Sequence, residues 1–381
     1  MKILQVTPAY PPSAHGGIST HVGLLAKGMV GRGNEVSVAT TNRYDSKQVM
    51  SFSGRREMDG VSVFYAKAYW PGRYFFAPGI FSVIRDSIKM FDVLHIHDTR
   101  TFVGLTASVL AKRSPTPYVL TCHGSLSPSV GSTRLKLLHD HLIGKGLVRR
   151  ASRVIALSPA EKQEFLEFGI PEAKIAIVPN AIPLKPYQGE GAAYRDEIHS
   201  RQRNVVLYLG RIHRIKGVDR LIDAFALVEQ RNRDCRLLIV GQDYGAKAEL
   251  ARRVMLLGLT GKVTFPGPKY GTEKEHVLKN ADVLVVPSYK ETFPLVVLEA
   301  FAVGLPVIVT DGCGISAELE RNRAALVVSS TAEMATAIER CLTDALLANQ
   351  LRNDALHLLK SEYNWDRALI QISRLYEEVV G

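Results

Sequence analysis

The 381-residue chain has little cysteine, and Cys122, Cys235, Cys313 and Cys341 stand far apart with no C-x-x-C pair. That spacing excludes a disulfide scaffold and a zinc ribbon, so a reducing cytoplasm is the expected home. Long apolar runs are also missing. The longest, Leu295 to Val309, is broken by Glu299, Gly304 and Pro306, and it falls short of the roughly 20 residues a membrane span needs. Near the N-terminus only Ile3 to Val6 precede Thr7 and Pro8, too short a stretch for a signal-peptide core, so no export signal is expected. No low-complexity tract or short repeat occurs.

What is present is ordinary globular composition, 46% hydrophobic and 22% charged, in a chain too long for one typical core. Two domains, and hence a cleft between them, are expected. The net charge of +11 is unevenly spread: residues 1–183 hold 22 Lys and Arg against 12 Asp and Glu, and residues 184–381 hold 26 against 25. Any field that attracts an anionic partner therefore belongs to the first half.

Short β-branched runs alternate with helical patterns along nearly the whole length, which predicts an α/β fold with parallel sheets. The first half offers Lys2 to Thr7, Glu35 to Thr41, Val61 to Ala66, Asp92 to His97, Tyr118 to Cys122, Arg153 to Leu157 and Lys174 to Val178. The second offers Val205 to Leu209, Arg236 to Val240, Val263 to Phe265, Asp282 to Val286, Pro306 to Val309 and Ala325 to Val328. Between them, Pro183 to Asn204 has Pro186, Gly189 and Gly191 but no apolar period, and reads as the hinge. In such sheets ligands collect at the carboxyl ends of strands, which gives motifs there the most weight.

After the strand ending at Val286 comes P-S-Y-K-E-T-F-P-L-V-V-L-E-A. Glu291 falls in the loop before a helix that Pro294 is suited to open, and Glu299 falls one to two turns inside it. The helix dipole and free N–H groups would face that loop, a place suited to phosphate. Solvated helix-end glutamates are the plain alternative. The second half opens with V-V-L-Y-L-G-R-I-H-R-I-K-G, a strand followed by Arg211 and Lys216, two cations able to neutralise a diphosphate. Near the N-terminus P-A-Y-P-P-S-A-H-G-G-I-S-T-H precedes a helix expected near Ile18; Gly16 and Gly17 let backbone approach a ligand, while His15 and His21 read as loop and helix residues.

The glutamate segment resembles the E-x7-E signature of the large retaining glycosyltransferase family 4, and the chain's layout is similar over most of its length. The resemblance implies the GT-B fold: two Rossmann-like domains facing across a cleft, residues 1–183 for the acceptor and 184–360 for the nucleotide sugar. It also implies a last helix, 361–381, returning to the first domain; Trp365, Leu369, Ile372 and Leu375 have the spacing for it. It implies that Glu291 approaches the donor sugar, that Glu299 binds the ribose hydroxyls, and that Thr292, Phe293, Pro294 and Leu295 line the donor between them. Arg211 and Lys216 match the family's G-R-x(4)-K-G motif, and Gly16 and Gly17 its glycine loop. His123, which ends the strand P-Y-V-L-T-C-H-G, matches an H-G that meets a sugar hydroxyl.

The same resemblance implies transfer from a GDP- or UDP-sugar to a glycan or lipid-linked acceptor, with no cofactor. A metal site is not expected. His95 and His97 share one strand face but lack an evident third ligand, and no D-x-D motif is present to hold Mg2+ on the diphosphate. The aromatic stretch 69–81 and the basic stretch Arg134 to Arg153 suggest an anionic membrane surface or lipid acceptor at the first domain, on the inner membrane face. Nucleic acid is not expected as a partner, since no recognition motif accompanies the basic excess. A sugar-nucleotide epimerase or hydrolase of the same fold, a phosphorylase, and a non-catalytic binding protein stay open as alternatives.

Overall fold

The computed structural model describes residues 1–13, 16–45, 48–69, 76–98, 100–125, 145–184, 204–231 and 234–381. The expected hinge falls mostly outside them, as do His15, residues 70–75 of the aromatic stretch and most of the basic stretch. The described residues form two compact units, Met1–Asn180 with Asp366–Gly381, and Ala181–Trp365.

The first unit is built on one eight-stranded sheet. Its strands are β1 (Lys2–Val6), β2 (Glu35–Thr41), β3 (Gly54–Met58), β4 (Val61–Ala66), β5 (Val93–His97), β6 (Tyr118–Thr121), β7 (Arg153–Ala156) and β8 (Ile175–Ile177), in the order β3-β4-β2-β1-β5-β6-β7-β8. All neighbours run parallel except β3, which pairs antiparallel with β4. β3 reads G-R-R-E-M, has no apolar period and is mostly exposed, so the sequence pattern passes over it. It exists because Asp59 and Gly60, both at positive φ, turn the chain back onto β4; its charges then suit an unpaired sheet edge.

The second unit holds a six-stranded, wholly parallel sheet. Its strands β9 (Asn204–Leu209), β10 (Cys235–Val240), β11 (Val263–Gly267), β12 (Val283–Val286), β13 (Val307–Thr310) and β14 (Leu326–Val328) lie in the order β11-β10-β9-β12-β13-β14. Strands buried along both faces read as the continuous Val/Ile/Leu runs seen here. The helix Val218–Arg231 shows how the outer layer is paid for in apolar area: Val218, Leu221, Ile222, Phe225 and Val228 recur at helical spacing and are all buried. Enclosing a side chain such as Phe225 contributes roughly 2–3 kcal/mol.

The final helix, Trp365–Val380, buries Leu369, Ile372, Leu375 and Tyr376. Within the first unit, Tyr376 Oη lies 2.6 Å from His95 Nδ1, and Ser373 faces Met29. Among the described residues, no helix is long and apolar enough to cross a membrane.

Candidate active site

In the second unit the strand order reverses at β9, whose neighbours are β10 and β12. Chain leaving β9 and β12 at their carboxyl ends carries the candidates. Within β9, Tyr208 is buried and donates its hydroxyl to the Arg211 carbonyl at 2.7 Å. Burial first, and then the nearby Glu291 charge, push that phenol's pKa up, so it stays protonated. Arg211 itself is exposed, its guanidinium 5.5 Å from the Tyr244 ring centre.

Lys216 ends a short 3-10 turn, Arg214–Lys216, capped by Gly217 in the left-handed region at φ +63°. A β-carbon on Gly217 would sit 2.0 Å from the Pro287 carbonyl oxygen. Only glycine lets this turn lie so close to the segment that carries Glu291. Tyr289 N–H donates to the Ile215 carbonyl at 2.9 Å and ties the two pieces again. The result is an ion pair between Lys216 Nζ and Glu291 Oε2, with side chains 12% and 20% exposed.

The other side of the segment is held as closely. Glu291 N–H donates to the Gly312 carbonyl at 3.0 Å, and Gly314 N–H to the Glu291 carbonyl at 2.7 Å. A β-carbon on Gly312 would lie 2.4 Å from the Tyr289 oxygen, and one on Gly314 2.5 Å from the Thr292 oxygen. Between them Cys313 is enclosed, and burial pushes its thiol up to about 12, so it is inert at neutral pH. These D-G-C-G contacts escape a sequence reading because they work through the absence of side chains.

The helix that follows is Leu295–Ala302, with Pro294 as its N-cap residue at φ −79° and ψ 103°. Pro294 thus stands one place before the first helical position expected for it, because its ψ is extended. In its first turn Val297 N–H donates back to the Pro294 carbonyl at 3.0 Å, and the N–H groups of Leu295 and Val296 precede any acceptor within the helix. Phe293 turns inward, edge-on to Tyr363 with ring centres 5.5 Å apart, so only its backbone faces the loop. Glu299, 4% exposed, sits in the second turn, where Lys274 Nζ of the helix Gly271–Lys279 lies 2.5 Å from its Oε1. Lys274 carries no sequence signal; it comes from another helix. The pocket of about 270 Å3 lined by His213, Arg214, Asp219 and Tyr289 includes none of the donor candidates.

Both domain-sized portions of the chain match family models: Glycosyltransferase Family 4 over residues 15–185 and Glycosyl transferases group 1 over residues 193–357. The chain belongs to glycosyltransferase family 4. An uncharacterized glycosyltransferase of Methanocaldococcus jannaschii is 28% identical over 412 residues, covering both chains fully. Glycogen synthase of Mycobacterium tuberculosis is 27% identical over 405 residues, 99% of this chain and 94% of that one. D-inositol 3-phosphate glycosyltransferase of Nocardia farcinica is 33% identical over 211 residues, 52% and 47% of the two chains. Among solved structures, sucrose-phosphate synthase from Thermosynechococcus elongatus superposes with a TM-score of 0.82 at 23% identity, covering 99% and 98%. Anabaena HepE in complex with UDP-glucose gives 0.80 at 20% identity, covering 99% and 100%. The family 4 chain is a glycosyltransferase of GT-B fold.

In the first unit of this family 4 fold, Gly16 and Gly17 begin the helix Gly16–Gly31 and are exposed, with Gly16 at φ +64°. His123 follows β6 at φ +49° and Gly124 at +74°, and Ser125 N–H closes this turn onto the Cys122 carbonyl at 2.9 Å. Glu161 fixes the turn from beneath, its two carboxylate oxygens accepting N–H groups of Gly124 and Leu157, each at 2.7 Å. Burial outweighs those bonds and raises the Glu161 carboxyl to about 7. His95 and His97 do share a strand face, but they part in role. His95 is bonded to Tyr376 and Thr121, whereas His97 Nδ1 lies 3.1 Å from His123 Nε2. His21, read from sequence as a plain helix residue, packs edge-on to both His97 and His123. The third imidazole that β5 lacked is thus supplied by fold topology. Burial lowers His21 to about 4 and His97 and His123 well below the usual histidine range, so all three are neutral at neutral pH.

Proposed function

We propose that the chain transfers a sugar from a nucleoside diphosphate sugar to a glycan or lipid-linked acceptor, with retention of anomeric configuration. The observation that carries this is the Lys216–Glu291 pair, clamped by Gly217 on one side and by Gly312 and Gly314 on the other, at the head of the helix that bears Glu299. In the free protein Lys216 is neutralised by Glu291. A donor diphosphate offers the ammonium a stronger partner, and Arg211 and the first-turn N–H groups of Leu295–Ala302 add to the charge they share. Glu291 then turns to the sugar hydroxyls and Glu299 to the ribose.

The reaction breaks the bond between C1 and the phosphate oxygen, and the electron pair stays on the diphosphate. The acceptor oxygen bonds to C1 on the same face, and its proton passes to the departing phosphate oxygen. No separate base is required, and fixed cations and backbone dipoles lower the barrier electrostatically in place of a metal on the diphosphate. His123 meets a sugar hydroxyl, and Gly16 and Gly17 meet the diphosphate. No separate cofactor takes part. Acceptor choice, and docking on an anionic inner membrane face, fall to the basic first unit. That HepE was crystallised with UDP-glucose supports a nucleoside diphosphate sugar as donor.

Thermal-shift screening of UDP, GDP and ADP and their sugars tests this, since selective binding raises stability by RT ln(1 + [L]/Kd). One nucleotide should stabilise the wild type, and Glu299→Gln should weaken it about tenfold or more, as loss of a charged hydrogen bond does. Absence of stabilisation by every nucleotide at millimolar concentration sinks the reading.

A further inference from the structure

Histidines 21, 97 and 123 come from three separate parts of the first unit: the helix Gly16–Gly31, the end of β5 and the turn after β6. β5 and β6 pair in register from Leu94–Tyr118 to His97–Thr121, which sets His97 beside the turn that holds His123. Each of the three offers a ring nitrogen, and these atoms all lie within 4.8 Å of one another. Among the described residues this is the one group of three His, Cys, Asp or Glu so arranged.

Two features separate this cluster from packed core histidines. His21 Nδ1 is buried and has no hydrogen-bond partner, and buried polar atoms are seldom left so without a ligand. His95, by contrast, satisfies both its nitrogens within the protein. The turn carrying His123 is also held in a left-handed conformation that non-glycine residues seldom adopt, the kind of local strain found at ligand sites.

We propose that His21, His97 and His123 form a binding site for a late first-row transition-metal cation such as Zn2+ or Co2+. Neutral imidazole is the ligand form for such ions, at about 2.0–2.1 Å. Two nitrogens on one tetrahedral ion then stand about 3.3 Å apart by that bond length, close to the 3.1 Å between His97 and His123. The widest separation, up to 4.8 Å, needs to close by up to about 1.5 Å to fit the same bond length. Three protein ligands leave a fourth position for water or a substrate oxygen. Mg2+ and Ca2+, which require oxygen ligands, are not suited to it. The site is independent of the donor diphosphate, which the proposed function leaves to Arg211 and Lys216. One consequence rests on that proposal: a bound cation takes His123 from its sugar hydroxyl, so micromolar Zn2+ should inhibit transfer reversibly.

Co2+ titrated into the untagged, metal-free full chain should give visible d–d absorption that saturates at one equivalent, is abolished by Zn2+ and is unaffected by Mg2+. His21→Gln and His97→Gln should each weaken Co2+ at least tenfold. X-ray absorption on the Zn2+-loaded wild type, which needs no variant to fold, should show three nitrogen ligands at about 2.0–2.1 Å. Failure of Zn2+ to bind in the micromolar range, a sulfur or all-oxygen shell, or equal Co2+ affinity in folded variants would overturn the site. None of these readings depends on whether the chain transfers sugar.

Discussion

Replacing Gly217 by alanine tests how the Glu291 segment is held. The residue sits at φ +63°, and the added β-carbon would stand 2.0 Å from the Pro287 oxygen, where real β-carbons do not come within 3.0 Å. Relief requires about 1 Å of movement between the turn that bears Lys216 and the segment that bears Glu291, and both are attached to a packed sheet. The left-handed conformation alone costs an alanine about 1–2 kcal/mol, and forcing volume into a packed contact adds about 1–3 kcal/mol. Gly304 supplies the control. It has φ +70° but nothing within 4 Å of its β-carbon position, so Gly304→Ala carries the conformational cost without the overlap. Urea unfolding should show Gly217→Ala less stable than Gly304→Ala by the overlap contribution. Transfer from the donor that stabilises the wild type should fall roughly 100-fold in Gly217→Ala, as a 1 Å misplacement of reacting groups does, and stay close to wild type in Gly304→Ala. Equal stability and equal transfer in the two variants would refute the clamp.

Glu161→Gln should alter how stability depends on pH. The folded-state pKa is raised to about 7 from 4.5, chiefly by burial, so the folded chain holds this proton more tightly than the unfolded one. Its contribution is complete below pH 4.5 and is lost as pH rises through 7, a change of about 3 kcal/mol. Urea unfolding of wild type and variant side by side cancels the other groups, and a difference constant between pH 4.5 and 7.5 would contradict the assignment. Tyr376→Phe removes the hydroxyl bonded to His95 and should destabilise the first unit by about 1–2 kcal/mol. Hydrogen exchange in the final helix reads this, and unchanged protection there would show that the bond does not hold the helix.

Most strands of the two sheets were legible because they are short runs rich in β-branched residues, and most observed ends fall within a residue or two of those expected. β3 was not legible, since an exposed antiparallel edge made of Gly, Arg and Glu carries no apolar signal. Glu291, Glu299, Arg211 and Lys216 stood out as charges at the carboxyl ends of strands, and the structure pairs Lys216 with Glu291 directly. Lys274 did not stand out, because its meaning arises only when two helices meet at Glu299. Gly312 and Gly314 did not either, because their role is to leave room for the Tyr289 and Thr292 carbonyls. The histidine trio shows the same limit. His21 and His97 stand far apart in the sequence, and only placement of β1 beside β5 brings the helix after β1 to the end of β5.

The central claim is that Lys216 and Glu291 serve a departing diphosphate and its sugar. The most direct measurement is single-turnover transfer by wild type, Lys216→Ala and Glu291→Gln, each confirmed as folded, with the donor chosen by the nucleotide screen and saturating acceptor. A loss of 100-fold or more in both variants, at a magnitude typical for removal of one preorganised charge at a reacting centre, with α-linked product from an α-linked donor, is the predicted result. Near wild-type rates in either variant, or sugar released into water at the same rate with and without acceptor, would contradict it.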